Sequence, residues 1–139
     1  MRKRSKDSRR SGVAAIEFAF VAPIFLLFVF GLFEMVRMLM VQQALTNAAR
    51  EGCRTAVMAT TVNNSDVDTA IRDYLQSITS HASDTSIVRV TSPSGLATCP
   101  SGTALTVAVE VNYSDVSWPS ASYLGLNPTL HAQQTGRRE

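Results

Sequence analysis

Residues able to carry chemistry are scarce in this chain. Its 139 residues include two cysteines, two histidines and one tryptophan. Cys53 and Cys99, taken with His81 and His131, show no metal-ligand spacing, which argues against a metal site. No Gly-rich phosphate loop, no Gly-x-Ser-x-Gly and no carboxylate cluster of catalytic pattern occurs. His81 lies in Ser80-His81-Ala82-Ser83, which reads as an exposed polar turn, and His131 falls near the end of the sequence. Asp66, Asp68 and Asp73 lie around the start of a helical pattern, where negative charge suits the macrodipole better than it suggests calcium. Enzymatic chemistry finds no support, and no cofactor, metal or small-molecule substrate is implied. Charge is missing in one further place. From Val13 to Phe33, Glu17 is the only charged residue.

What is present is unevenly placed. Residues 1–12 hold Arg2, Lys3, Arg4, Lys6, Arg9 and Arg10 against Asp7, a net +5, while the whole chain carries +2. Residues 13–139 therefore carry −3, and the basic balance belongs to a short leader. That argues against nucleic acid as a partner, because a nucleic-acid-binding domain shows its basic face on the folded part. The apolar run that follows is 21 residues long, enough to span a hydrocarbon core. The dense Lys and Arg before it put residues 1–12 in the cytoplasm and the remainder outside. A cleavable secretory signal fits poorly, because the run is long for such a signal and no Ala-x-Ala site follows it. No second apolar span follows Val41, so a single crossing is expected.

Glu17 is the informative residue. A carboxylate at mid-bilayer costs roughly 2.5–3.5 kcal/mol on insertion scales and less near the interface, so its default reading is functional, with a partner to be named. If the chain is cut after Gly12, Val13 becomes a new N-terminus and Glu17 its fifth residue, one helical turn away. The alternative is an ordinary positively charged flank on an uncut anchor. The six phenylalanines Phe18, Phe20, Phe25, Phe28, Phe30 and Phe33 read mainly as lipid-facing bulk. Ala15, Ala19 and Ala22 leave a smooth stripe of the kind that lets helices approach. Pro23 removes an N–H and predicts a kink or local loosening.

Gly12-Val-Ala-Ala-Ile-Glu17-Phe18 resembles the processing site of class III signal peptides, which type IV prepilin peptidases cut after the glycine. With Pro23 and the long aliphatic-aromatic run, the segment is similar to the TadE-like pseudopilins of the tight-adherence (Flp-type) pilus system. Ala48-Ala-Arg-Glu-Gly-Cys-Arg54 resembles an Ala-Arg-Glu-Gly-Ala-Arg pattern of that family, with Cys53 where a small residue is usual. Arg137-Arg138-Glu139 is similar to the short charged ends of such chains. The resemblance covers residues 9–57 and is weak beyond them. It implies a membrane-anchored pseudopilin or minor pilin in the bacterial inner membrane, cleaved between Gly12 and Val13. It also implies partners in a prepilin peptidase and in other pilins, with Glu17 and the Val13 amine as the contact between subunits.

The expected fold is α+β and pilin-like. Beyond a leader (1–12) and a transmembrane segment (13–34), Met38, Val41, Leu45, Ala48, Ala49, Gly52, Ala56 and Val57 recur at helical steps, so the same helix continues as an amphipathic extension over 35–60. From Val13 to about Ala59 it would measure roughly 70 Å. Residues 61–139 form a small extracytoplasmic domain. A second helix, capped by Asn64 or Ser65, carries Val67, Ala70, Ile71, Tyr74, Leu75 and Ile78 on one face. Strands are expected at Ser86 to Thr91, with Val88 and Val90 on one side, and at Leu105 to Tyr113. A short last strand around Leu130 to Gln134 makes two or three antiparallel strands. The intervening residues, with Trp118-Pro119 and Asn127-Pro128, read as irregular.

An even cysteine count in an exported domain fits one disulfide, Cys53 to Cys99. Closing a loop of about 46 residues would contribute roughly 3–4 kcal/mol in the chain-entropy model. The other reading is two unrelated buried thiols. Two functions of different class stay open: an assembly component cut after Gly12, and a signal-anchored exported binding or adhesion module that keeps its leader.

Overall fold

The computed structural model describes residues 7–58, 60–61, 63–78, 86–91, 95–116 and 128–139. Most of the leader, the turn holding His81, and Trp118-Pro119 lie outside the described residues. The element order is α1 (Asp7–Val57), α2 (Asn64–Ile78), β1 (Ile87–Thr91), β2 (Ala104–Asn112), a single turn α3 (Tyr113–Val116) and β3 (Thr129–Arg137). The chain divides into two compact units, Met1–Val36 and Arg37–Glu139. The fold is the expected α+β layout of a long N-terminal helix, one further main helix and an antiparallel sheet.

In the first unit, α1 begins at Asp7, within the basic leader and ahead of the apolar run. Residues 7–12 have no apolar period of their own. Once a long helix is nucleated, each added residue gains a hydrogen bond, so the helix extends backward at little cost. The helix also continues through Pro23 without interruption.

The second unit is built on a three-stranded antiparallel sheet in the order β1-β2-β3. Val88 pairs with Val109 and Val90 with Val107, while Val109 pairs with Ala132 and Val111 with Leu130. Strand β2 sits in the centre. Its Leu105, Val107, Val109 and Val111 are buried and alternate with partly exposed residues, which is the period of a strand with one covered face. The covering comes from α2, through Val67, Ile71 and Leu75, and from α1, through Val41, Ala44, Leu45, Ala48, Ala49 and Ala56. Helix α2 begins at Asn64, so Asn64 and Ser65, either of which was expected to cap it, lie within it. Asn63 precedes it, its carbonyl accepts from Asp66 N at 3.3 Å, and Asp66 lies in the first turn. Strand β3 runs to Arg137, longer than the four or five residues its sequence suggested. Strand β2 ends at Asn112, where Tyr113 enters α3 and donates its N–H to Pro128 O at 2.9 Å.

Candidate functional site

Two stretches of α1 carry the candidate site, one in each unit. In the first unit every described side chain from Gly12 to Val21 is exposed. The six phenylalanines are 61–73% exposed. Burying a large apolar side chain is worth roughly 1.5–3 kcal/mol. Leaving six phenylalanines in water therefore forfeits on the order of 10 kcal/mol, as much as the whole stability of a small domain. The helix from Gly12 is long and apolar enough to cross a membrane. Its most apolar 18-residue window has a mean hydropathy of 2.5, and none of that window is buried.

The residues expected to form a processing site sit at the start of this bare segment. Around Gly12, an added Cβ would meet no atom within 4 Å. Packing among the described residues therefore gives no reason for glycine there, and a requirement for it would come from a molecule that grips the backbone. Val13 and Glu17 are both helical and exposed, four residues apart and thus on one face a turn apart. In the uncut chain the Val13 nitrogen is an amide inside α1, so it carries no charge for Glu17 to meet. Phe18 is 72% exposed, and Pro23 is exposed within the helix.

In the second unit the segment Ala48-Ala-Arg-Glu-Gly-Cys-Arg54 divides into two sides. Ala48, Ala49, Gly52 and Cys53 face the core. At Gly52, α1 lies directly against Ile71 of α2 and Val107 of β2. A methyl group there would collide with Ile71, lying 2.6 Å from its Cγ1, and would come within 3.2 Å of Val107 Cγ1. Only a residue without Cβ allows this approach. Arg50, Glu51 and Arg54 point away from the core. Arg54 Nε donates to Glu51 Oε2 at 3.0 Å. That hydrogen bond, reinforced by the guanidinium charge, holds the Glu51 carboxyl below its ordinary pKa.

The cysteines correct an expectation. Both are free thiols, Cys53 buried and Cys99 half-buried. Cys53 Sγ is directed at β3, within 2.8 Å of where a Gly136 Cβ would stand, and Val57 Cγ1 lies within 2.7 Å of the same point. The sulfur is used in packing α1 onto the strand. Burial pushes the Cys53 thiol pKa up, which makes it less reactive. Cys99 packs separately against the rim of the core. His131 is exposed on the outer face of the sheet, across from Glu110. Among the described residues, no three His, Cys, Asp or Glu side chains converge as metal ligands would.

Two arginines that the sequence does not single out position α1. Arg37 Nε donates to Val116 O at 2.8 Å, joining the helix to α3. Arg138 is buried, and its guanidinium donates to Ala56 O and Thr61 O, both at 2.7 Å. Glu139 N donates to Val57 O at 3.0 Å. The last carbonyls of α1, which have no partner inside the helix, are thus closed by the final residues of the sequence. The only signal for this was Arg137-Arg138 itself, and nothing local distinguishes the buried arginine from the exposed one.

Compared with known proteins, residues 12–54 match the family model described as TadE-like protein. No curated protein and no solved structure matches the chain. The matched segment begins at Gly12, takes in Glu17 and the bare apolar helix, and ends at Arg54, so over those residues the chain is similar to TadE-like proteins.

Proposed function

We propose that this protein is a pseudopilin or minor pilin of a tight-adherence (Flp-type) pilus system, a structural and non-enzymatic subunit. It is anchored in the bacterial inner membrane with residues 1–12 in the cytoplasm and the α+β unit outside. A prepilin peptidase removes the leader after Gly12. One observation carries the reading: the family match coincides with a helix whose first part is apolar and bare and whose second part is the spine of a folded unit. A helix of that kind suits a subunit held in lipid before it joins an assembly.

Cleavage turns the Val13 amide into an ammonium one turn from the Glu17 carboxylate. Neither charge is stable alone in lipid. Pairing between neighbouring subunits compensates both and selects one axial stagger. Its net energy is small because desolvation offsets much of the attraction. The test is recovery of partner pilins with membrane-extracted wild type and Glu17→Gln. The expected result is normal cleavage and insertion of the variant with reduced partner recovery. Equal recovery and equal pilus formation would remove Glu17 from assembly. The signal-anchored binding module is separated by the same samples, since it would keep residues 1–12.

A further inference from the structure

The second unit leaves two helix faces outside its core, and their charges are opposite. On α1 the outward face is made by Gln43, Asn47, Arg50 and Arg54, at steps of four, three and four, all exposed. Arg54 is engaged by Glu51, whereas Arg50 makes no hydrogen bond or ion pair among the described residues. Beside it, Gln42, Gln43, Thr46, Asn47 and Arg50 line an open depression of about 330 Å³. On α2 the face opposite Val67, Ile71 and Leu75 is made by Asp66, Thr69, Asp73 and Gln76, again all exposed. Asp68 is turned to another flank, where Arg72 Nε meets it at 2.8 Å. The carboxylates of Asp66 and Asp73 meet no cation among the described residues.

Pairing like faces would set Arg50 against Arg50, or Asp73 against Asp73. Pairing unlike faces compensates both. We propose that the Arg50 face of α1 in one copy docks on the Asp66–Asp73 face of α2 in a second copy. The contact joins unlike faces of the two copies, so it can form once, head to tail, or twice about a two-fold axis. Exposed ion pairs are weak, about one- to fivefold each in an association constant. Their part here is to choose orientation and partner face rather than to supply affinity. Proximity comes from anchoring both copies in one membrane, and in that respect the inference rests on the proposed function.

The experiment uses the full chain in membranes, with a photo-crosslinking residue in place of the exposed Asn47. The expected product is a dimer whose junction, located by mass spectrometry, falls within residues 64–78 of the second copy. Arg50→Glu should lower its yield about fivefold. Combining Arg50→Glu in the probe-bearing copy with Asp66→Arg and Asp73→Arg in the other should restore it. All three sites are exposed, and unchanged melting of each variant checks that folding is intact. Absence of a dimer, an undiminished yield with Arg50→Glu, or a junction within α1 of the second copy would overturn the proposal. Such a result with Glu17-dependent partner recovery intact would remove this contact and leave the assembly reading standing.

Discussion

Adding one methyl group at Gly52 should destabilise the second unit, although it improves the helix. Replacing an interior glycine by alanine gains about 1 kcal/mol of helix propensity. At this position the new Cβ would collide with Ile71, a side chain fully buried between α1 and β2, and would press on Val107. Overpacking of a tight core costs about 1–3 kcal/mol. The close approach involves Cγ1 as well as the terminal methyl, so Ile71 cannot simply swing its tip aside. The upper part of that range applies, and the net loss is about 1–2 kcal/mol after the propensity gain. For a unit of this size that lowers Tm by roughly 5–15 °C. Thermal unfolding of the full chain in detergent measures it. The decisive variant is the double Gly52→Ala, Ile71→Val, which removes the terminal methyl and leaves Cγ1, so it relieves the collision in part. Ile71→Val alone should cost about 0.5–1.5 kcal/mol, and the double should be more stable than the sum of the singles requires. A Gly52→Ala protein as stable as wild type, or simple additivity in the double, would refute the crossing as described.

Arg138→Ala should cost about 2–4 kcal/mol, because two charge-assisted bonds to Ala56 O and Thr61 O are lost at a buried site. Chemical denaturation of the full chain checks it, with Arg137→Ala, an exposed neighbour, as the near-neutral control. The free thiols make a further prediction: native protein alkylated without reductant labels Cys99 and leaves Cys53 unreacted until unfolding. Because the Cys53 pKa is raised, its thiolate stays scarce at neutral pH, and any labelling should keep rising above the pH at which an ordinary thiol has levelled off. Resistance of both to alkylation, reversed by reductant, would contradict the unpaired state.

The parts of the fold written in local pattern were legible. The apolar run, the helical steps from Val41 to Ala56 and the alternation of Leu105, Val107, Val109 and Val111 each specify an element within a few residues of sequence. Strand β3 was only partly legible because its inward positions after Ala132 are Gln134 and Gly136, which give no hydrophobic alternation. Its full length is set by pairing with β2 and by the close contact of Gly136 with Cys53 and Val57. The same long-range contact decided the cysteines. An even count suggested a pair, but where Cys53 points depends on a glycine more than 80 residues away. Gly52 was visible as a core-facing small residue, yet its reason, the approach of Ile71 and Val107, lies in two other elements. The candidate processing residues stand apart from these packed elements. Gly12, Val13, Glu17 and Phe18 are all exposed, and no packing among the described residues bears on the role read from them.

Release of the leader at Gly12 separates the proposed assembly subunit from an uncut anchor. Intact mass and N-terminal sequencing of the protein extracted from its native membrane test it most directly. The expected product is a chain that begins Val-Ala-Ala-Ile-Glu, lighter than the full sequence by residues 1–12, and a Gly12→Leu variant stays at full mass. A native protein that retains residues 1–12, or a Gly12→Leu variant cleaved as wild type, would contradict it.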